Sequence, residues 1–217
     1  MHLVIGLALA AAVVVLLSKL PLTGDTEDLR RRELAALARR LRLHFNPDGD
    51  FERAKNYLFL RWLNRGGNQC LYNLYRGCYC QFPVVIFDYT FTAGKSTYYW
   101  SAYVLEMSTN FPDLLISHET WEARIAEMLG KEHLTFESAE FSRVFRVRSA
   151  EKKFAFDICH PQMMEFLLAN PDLTIEIRGS SLAILFETWL DPQKIEHDLS
   201  RLIAIRKFLP EYLFVKA

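Results

Sequence analysis

The chain has no excess of either charge: 26 Lys and Arg stand against 26 Asp and Glu. A general nucleic-acid binder needs a basic footprint, so that class falls away. Four cysteines in 217 residues are too few for a disulfide scaffold. Glycine and proline are sparse, at nine and eight, and no low-complexity segment interrupts the chain. Local catalytic signatures are missing too. There is no Gly-x-Ser-x-Gly elbow and no Gly-x-Gly-x-x-Gly loop, and the six histidines form no His-Glu-x-x-His pair. Gly94-Lys95-Ser96 lacks the glycine five positions earlier that a phosphate loop requires, since Tyr89 stands there, so it reads as a hairpin turn. No cofactor is expected. What is present is a chain 51% apolar and 13% aromatic, which excludes a disordered polymer and predicts an α+β body.

Leu3 to Leu17 carries no polar side chain. As a helix these residues span about 22 Å, and Met1 to Leu20 spans about 30 Å, the thickness of a bilayer's hydrocarbon core. Pro21 and Gly24 then break the pattern. A cleaved signal peptide wants a basic n-region and small residues ahead of a cleavage site, whereas here only Met1 and His2 precede the run and Ser18-Lys19-Leu20 follows it. Residues 1–22 therefore read as a retained transmembrane anchor, with residues 1–20 in the lipid bilayer. Lys19, Arg30, Arg31, Arg32, Arg39, Arg40 and Arg42 all follow the run and no basic residue precedes it. The positive-inside rule then places the N-terminus outside and the body in the cytoplasm.

Residues 23–46 are expected to form a juxtamembrane amphipathic helix. Asp25 or Thr26 supplies the cap, and Leu34, Leu37 and Leu41 fall at helical spacing. Two placements are open to it: lying on anionic lipid through its arginines, or packed on the domain through its leucines. Residues 47–217 form the body, with sub-halves at 47–132 and 133–217. Strands are predicted at Gln69–Cys80, Pro83–Thr92 and Thr97–Met107, rich in Tyr, Phe, Val and Ile, and they make an antiparallel meander. Leu114–Ser117 adds a fourth strand, and a helix follows over Glu119–Leu129. The second half reads as βαββα: a strand at Arg143–Arg148, a helix at Pro161–Ala169, a hairpin of Leu173–Arg178 and Leu182–Thr188 across Gly179-Ser180, and a last helix from Asp191-Pro192 to Leu209.

Three constellations bear on function. Arg143, Arg146, Arg148, Lys152 and Lys153 are the densest basic run in the body and a candidate surface for an acidic partner or lipid headgroups. His160 with Asp157 or Glu165 would suit a membrane-associated hydrolase whose site is built from distant residues. Cys70, Cys78, Cys80 and Cys159 with His160 have the donor types of a structural zinc set, although no Cys-x₂-Cys knuckle is present; Cys78 and Cys80 are expected on one face of a strand.

Pro83–Ser96, Phe136–Val147 and Lys153–Leu167 together resemble an uncharacterised bacterial family of small proteins with an N-terminal membrane segment and an α+β body. The resemblance covers most of the chain after about Leu34. It implies a bacterial source and membrane attachment, and it supplies no catalytic residues. The expectation that follows is a membrane-tethered cytoplasmic module that binds a protein or lipid partner without catalysis. The hydrolase and the zinc-stabilised domain stand as alternatives.

Overall fold

A computed structural model describes residues 24–50, 55–61, 63–118 and 134–214. The expected anchor at 1–22 and the expected helix at 119–129 lie outside these residues. Among the described residues no helix is long and apolar enough to cross a membrane.

The first described helix, α1 (Gly24–Leu41), has Glu27 and Asp28 near its start and Arg39 and Arg40 in its last turn, as the helix dipole favours. It ends in a Schellman motif: Leu43 N donates to Ala38 O at 2.9 Å and Arg42 N to Arg39 O at 3.2 Å. Arg42, at φ 57°, takes the left-handed position that glycine usually fills. Leu34, Leu37 and Ala38 are buried in the core, so this helix is packed on the domain.

Six strands form one antiparallel sheet: β1 (His44–Asn46), β2 (Gly67–Tyr79), β3 (Phe82–Ala93), β4 (Ser96–His118), β5 (Phe145–Ser149) and β6 (Thr174–Phe186). Their order is β1-β2-β3-β4-β5, with β6 also on β4. Ala93 pairs with Ser96 across the turn that holds Gly94 and Lys95, so the meander and its hairpin stand as predicted. The predicted third and fourth strands are one. β4 runs through 23 residues, its first half between β3 and β6 and its last residues between β5 and β6.

Four further α-helices stand among the described residues: α2 (Ala139–Val144), α3 (Lys152–Ile158), α4 (Pro161–Ala169) and α5 (Ile195–Phe208). Ser138 caps α2 through its side chain, and Pro161 opens α4. The predicted strand at 143–148 gives its first two residues to α2, and 154–158 is helical.

The predicted hairpin at 173–188 is a correction of topology. Gly179-Ser180 is no turn; β6 continues through it along β4. Between Glu106 and Leu114, β4 takes eight residue steps where β6 takes four from Ser181 to Ile177. The surplus is a bulged, bent stretch, and Gly179 at φ 55° absorbs the bend on β6. Cys78 and Cys80 are a second correction. Tyr79 pairs with Phe82, so Cys80 and Gln81 are the two turn residues, at φ 49° and 71°. That is the geometry of a type I′ hairpin, and Cys80 leaves the strand face that Cys78 occupies.

The two faces of the sheet bury different things. One face carries Val84, Ile86, Tyr103, Leu105, Ile116, Val147, Ile175 and Ile184 under the helices. The other carries Phe87, Tyr89, Trp100, Val104 and Leu185, closed by Leu60 and Leu63. Each such side chain contributes roughly 1.5–3 kcal/mol through burial. Below the bend the second face changes character. Since Leu114, Ile116, Phe145, Val147, Ile175 and Ile177 point to the helices, alternation turns Asp113, Leu115, Arg148, Glu176 and Arg178 the other way.

Candidate functional site: an arginine-walled groove

Three polar systems cross the described structure, and burial separates them. The first centres on Asp88, the only charge in the apolar stretch Pro83–Phe91 and wholly buried. Its carboxylate accepts from Asn73 Nδ2 at 2.7 Å and Leu190 N at 2.7 Å, and it pairs with the Arg30 guanidinium. Arg30 also donates through Nε to Leu190 O at 3.1 Å and lies over the Trp189 ring. Burial pushes the Asp88 carboxyl up to about 6, against the opposing pull of Arg30, the Leu190 N–H and Asn73. Asn73 sits at a β2 bulge with φ 48°. The cluster fastens α1, β2, β3 and the segment before α5 to one another, and it offers no surface to a ligand.

The second system is buried at Tyr103, Asp198 and Arg201 and reaches the surface at Asp172. Tyr103 Oη donates to Asp198 at 3.0 Å, and Arg201 bridges Asp198 at 2.6 Å and Asp172 at 2.7 Å. Burial, and then the Asp198 charge, hold the Tyr103 hydroxyl well above its ordinary range. This chain ties α5 to the sheet and to the turn ahead of β6.

The third system opens to solvent. Below the bend a cavity of about 230 Å³ is lined by Arg61, Asp113, Leu115, Arg148, Ser149 and Glu176, among others. Arg61 reaches Asp113 through its guanidinium at 3.0 Å, and its backbone N–H donates to Glu176 Oε1 at 2.6 Å. Arg178, on the neighbouring strand, approaches the same Asp113 oxygen at 3.4 Å and donates to Phe59 O at 2.5 Å. On the other side Arg148 pairs in register with Leu115, two residues along β4 from Asp113. Ser149 Oγ donates to Asp113 O at 2.7 Å and fixes the β4–β5 edge. Behind the wall, burial lowers Arg65 to about 10, while the charges of Glu176 and Glu187 oppose the shift.

Of the basic run read from sequence, Arg148 lines this groove. Arg146 shares its strand face and bonds the Ser142 carbonyl. Arg143 is exposed in the last turn of α2, and Lys152 and Lys153 are exposed at the start of α3. The proposed hydrolase residues go elsewhere. His160 Nε2 meets Phe208 O at 2.9 Å, joining the start of α4 to the end of α5, and Asp157 bonds Tyr212. All four cysteines are free; Cys70 and Cys159 are buried and Cys78 and Cys80 exposed. Among the described residues no three of His, Cys, Asp and Glu gather as metal donors, so the zinc reading has no donor set there. Burial alone raises the Cys159 thiol to about 12.

Sequence reasoning missed Arg61, Asp113, Glu176 and Arg178. They come from three separate segments. The one local signal was Glu176 and Arg178 alternating with Ile175 and Ile177, which marks a strand with a polar face.

The architecture is therefore that of an α+β protein: a single bent antiparallel sheet with helices stacked on one face and a polar groove on the other. No family model and no curated protein matches the chain. The fold is similar to the crystal structure of the mycobacterial trehalose monomycolate transport factor A, TtfA, with a TM-score of 0.61 over 83% of this chain and 96% of that one. Sequence identity is 12%, so the likeness is one of architecture.

Proposed function

We propose that this protein is a membrane-tethered, non-enzymatic module whose body lies on the cytoplasmic side and binds a lipid or protein partner. The observation that carries the reading is the continuity of the apolar run with the fold. α1 begins at Gly24, four positions after Leu20, and it is locked into the core by Leu34, Leu37, the Tyr75 Oη bond to Leu34 O at 2.8 Å and the Arg30–Asp88 pair. A bilayer-inserted N-terminus would thus hold the whole sheet beside the membrane and not on a loose leash. The arginines that follow the run support the orientation. The architectural likeness to a trehalose monomycolate transport factor supports the binding of a lipid or protein partner. The internal polar clusters act as fasteners, and His160 is committed to a backbone carbonyl, which favours binding over catalysis.

Full-length protein with a C-terminal tag should stay with membranes through high-salt and carbonate washes and need detergent for release. The tag should survive protease added to intact cells. A soluble body lacking its first residues, or a tag digested from outside, would overturn the reading.

A further inference from the structure

We propose that the end of the sheet beside the start of α1, made of the β3–β4 hairpin tip with Tyr98, Tyr99 and Trp189, sits in the headgroup layer of the membrane. The proposal rests on the membrane-tethered reading and names the face that meets the lipid. Direction comes first. α1 runs beside β2 and in the same sense: Arg30 meets Asp88, which pairs in register with Tyr72, Leu34 O accepts from Tyr75, and Leu43 lies against Gly77. The start of α1 therefore points toward the β3–β4 turn, and its end toward the β2–β3 turn at Cys80. Lengths then set the level. Gly24 is six residues ahead of Arg30, about 9 Å along the helix. Ala93 is five residues past Asp88, about 17 Å along the strand. The hairpin thus overhangs the start of α1 by about 8 Å. Four positions separate Leu20 from Gly24 and span at most about 14 Å. With α1 along the membrane normal and Leu20 at the hydrocarbon boundary, the tip stands no more than about 6 Å from that boundary, inside the headgroup layer.

The chemistry of this end suits that layer. Gly66–Cys70 and Thr90–Tyr99, which share it, carry no acid and a single base, Lys95 at the exposed turn. Tyr99 packs on Trp189 with ring centroids 4.6 Å apart, and Tyr98 stacks on Phe91 at 5.1 Å. Tyr98, Tyr99 and Trp189 are half-buried, each with an apolar body and a polar tip. Amphipathic rings of this kind collect at membrane–water interfaces. On α1, Leu29 is 58% exposed, an apolar side chain set among charges. Gly24–Arg32 holds three acids and three arginines, so the first turns of the helix present no net negative charge to the lipid. Glu27 is held by Arg30 and Arg31, and Arg32 and Lys95 are exposed to anionic headgroups.

The test uses full-length protein reconstituted in phosphatidylcholine–phosphatidylglycerol vesicles that carry a headgroup nitroxide on both leaflets. One variant, Cys78→Ser with Cys80→Ser and Ser96→Cys, takes a thiol-reactive fluorophore at the hairpin tip. The other, Cys78→Ser alone, takes it at Cys80, at the opposite end of the sheet. Cys70 and Cys159 are buried and stay unlabelled. The length of β3 holds the two label positions about 35 Å apart. Flotation with the vesicles through a carbonate wash checks the anchor separately. In floating protein, nitroxide quenching at position 96 is expected to be at least about threefold stronger than at Cys80. If Ser96→Cys shifts the unfolding midpoint, Lys95→Cys takes the label in its place. Equal quenching at the two ends, or stronger quenching at Cys80, would overturn the proposal and leave the anchor standing. Protein that does not float would overturn the anchor and the proposal with it.

Discussion

Asp88 and Asp113 are both aspartates of the central sheet, and both are paired with arginine, yet they do different work. Asp88 is wholly buried, with two neutral donors and one guanidinium around it, and nothing reaches it from solvent. Asp113 is open, shares two guanidiniums, and faces a cavity. Breaking a buried pair leaves an uncompensated charge in a low-dielectric interior, whereas an exposed pair is screened and contributes little. The same chemical pair is therefore a fastener in one place and a solvent-facing contact in the other, and burial alone makes the difference.

The largest effect that would test this contrast is at Arg30. Arg30→Met should cost about 3 kcal/mol at pH 8, because Asp88 then keeps its charge without a counterion. Chemical denaturation at pH 8 and pH 5 measures it; the cost should shrink at the lower pH, where Asp88 takes up a proton. A cost that is small at both values would make the buried pair no fastener at all.

Asp88 also predicts a pH slope in the unsubstituted protein. Its carboxyl titrates at about 6 when folded, against an ordinary 3.8, so the folded state holds a proton that the unfolded chain has released between these values. The contribution is fully present below pH 4 and is lost as the pH rises through 6, a change of roughly 3 kcal/mol. Asp88→Asn should flatten that part of the stability curve; an unchanged slope would assign it to other groups.

The bend that separates the two regions is the next target. Gly179 has φ 55°, and an added Cβ would meet nothing nearer than Asn110 Oδ1 at 3.8 Å. Gly179→Ala should therefore cost about 1 kcal/mol from backbone conformation alone. A much larger loss in thermal unfolding would mean that the bend tolerates no adjustment.

The smallest effect belongs to Asp113. Asp113→Asn should change stability by about 0.5 kcal/mol or less, since both of its guanidinium partners are substantially exposed. A loss comparable with that of Arg30→Met would make the groove a structural joint and remove the contrast.

Much of the sheet was legible in the sequence, because aromatic and β-branched alternation over residues 69–107 is a local property and Gly94-Lys95 is a local turn. Pro161 and Asn170-Pro171 likewise bracketed α4. Gly179-Ser180 misled for a physical reason. A glycine and a serine between two apolar runs are the same signal for a turn and for a bulge, and the choice is made by the surplus residues of β4, some seventy positions earlier. Cys80 misled because its left-handed backbone is set by the hairpin closing at Tyr79 and Phe82, without the glycine or asparagine that announces such turns. Asp88 stands out as a charge in an apolar strand, but its partner Arg30 lies in α1, 58 positions earlier. The groove was the least legible part, since Arg61, Asp113, Arg148 and Arg178 converge only after β4 has paired on both sides.

The double pairing of β4 also sets an order of events on the ribosome. Residues 96–105 can close a hairpin with β3 as soon as they emerge, but their opposite edge waits for β6, and Ser101 meets Phe186 only after 85 more residues have been made. During that interval a long strand with three tyrosines and three leucines presents unpaired backbone groups to its neighbours. The protein's period of greatest vulnerability to aggregation thus falls between the synthesis of β4 and that of β6, and a pause before residue 174 would prolong it.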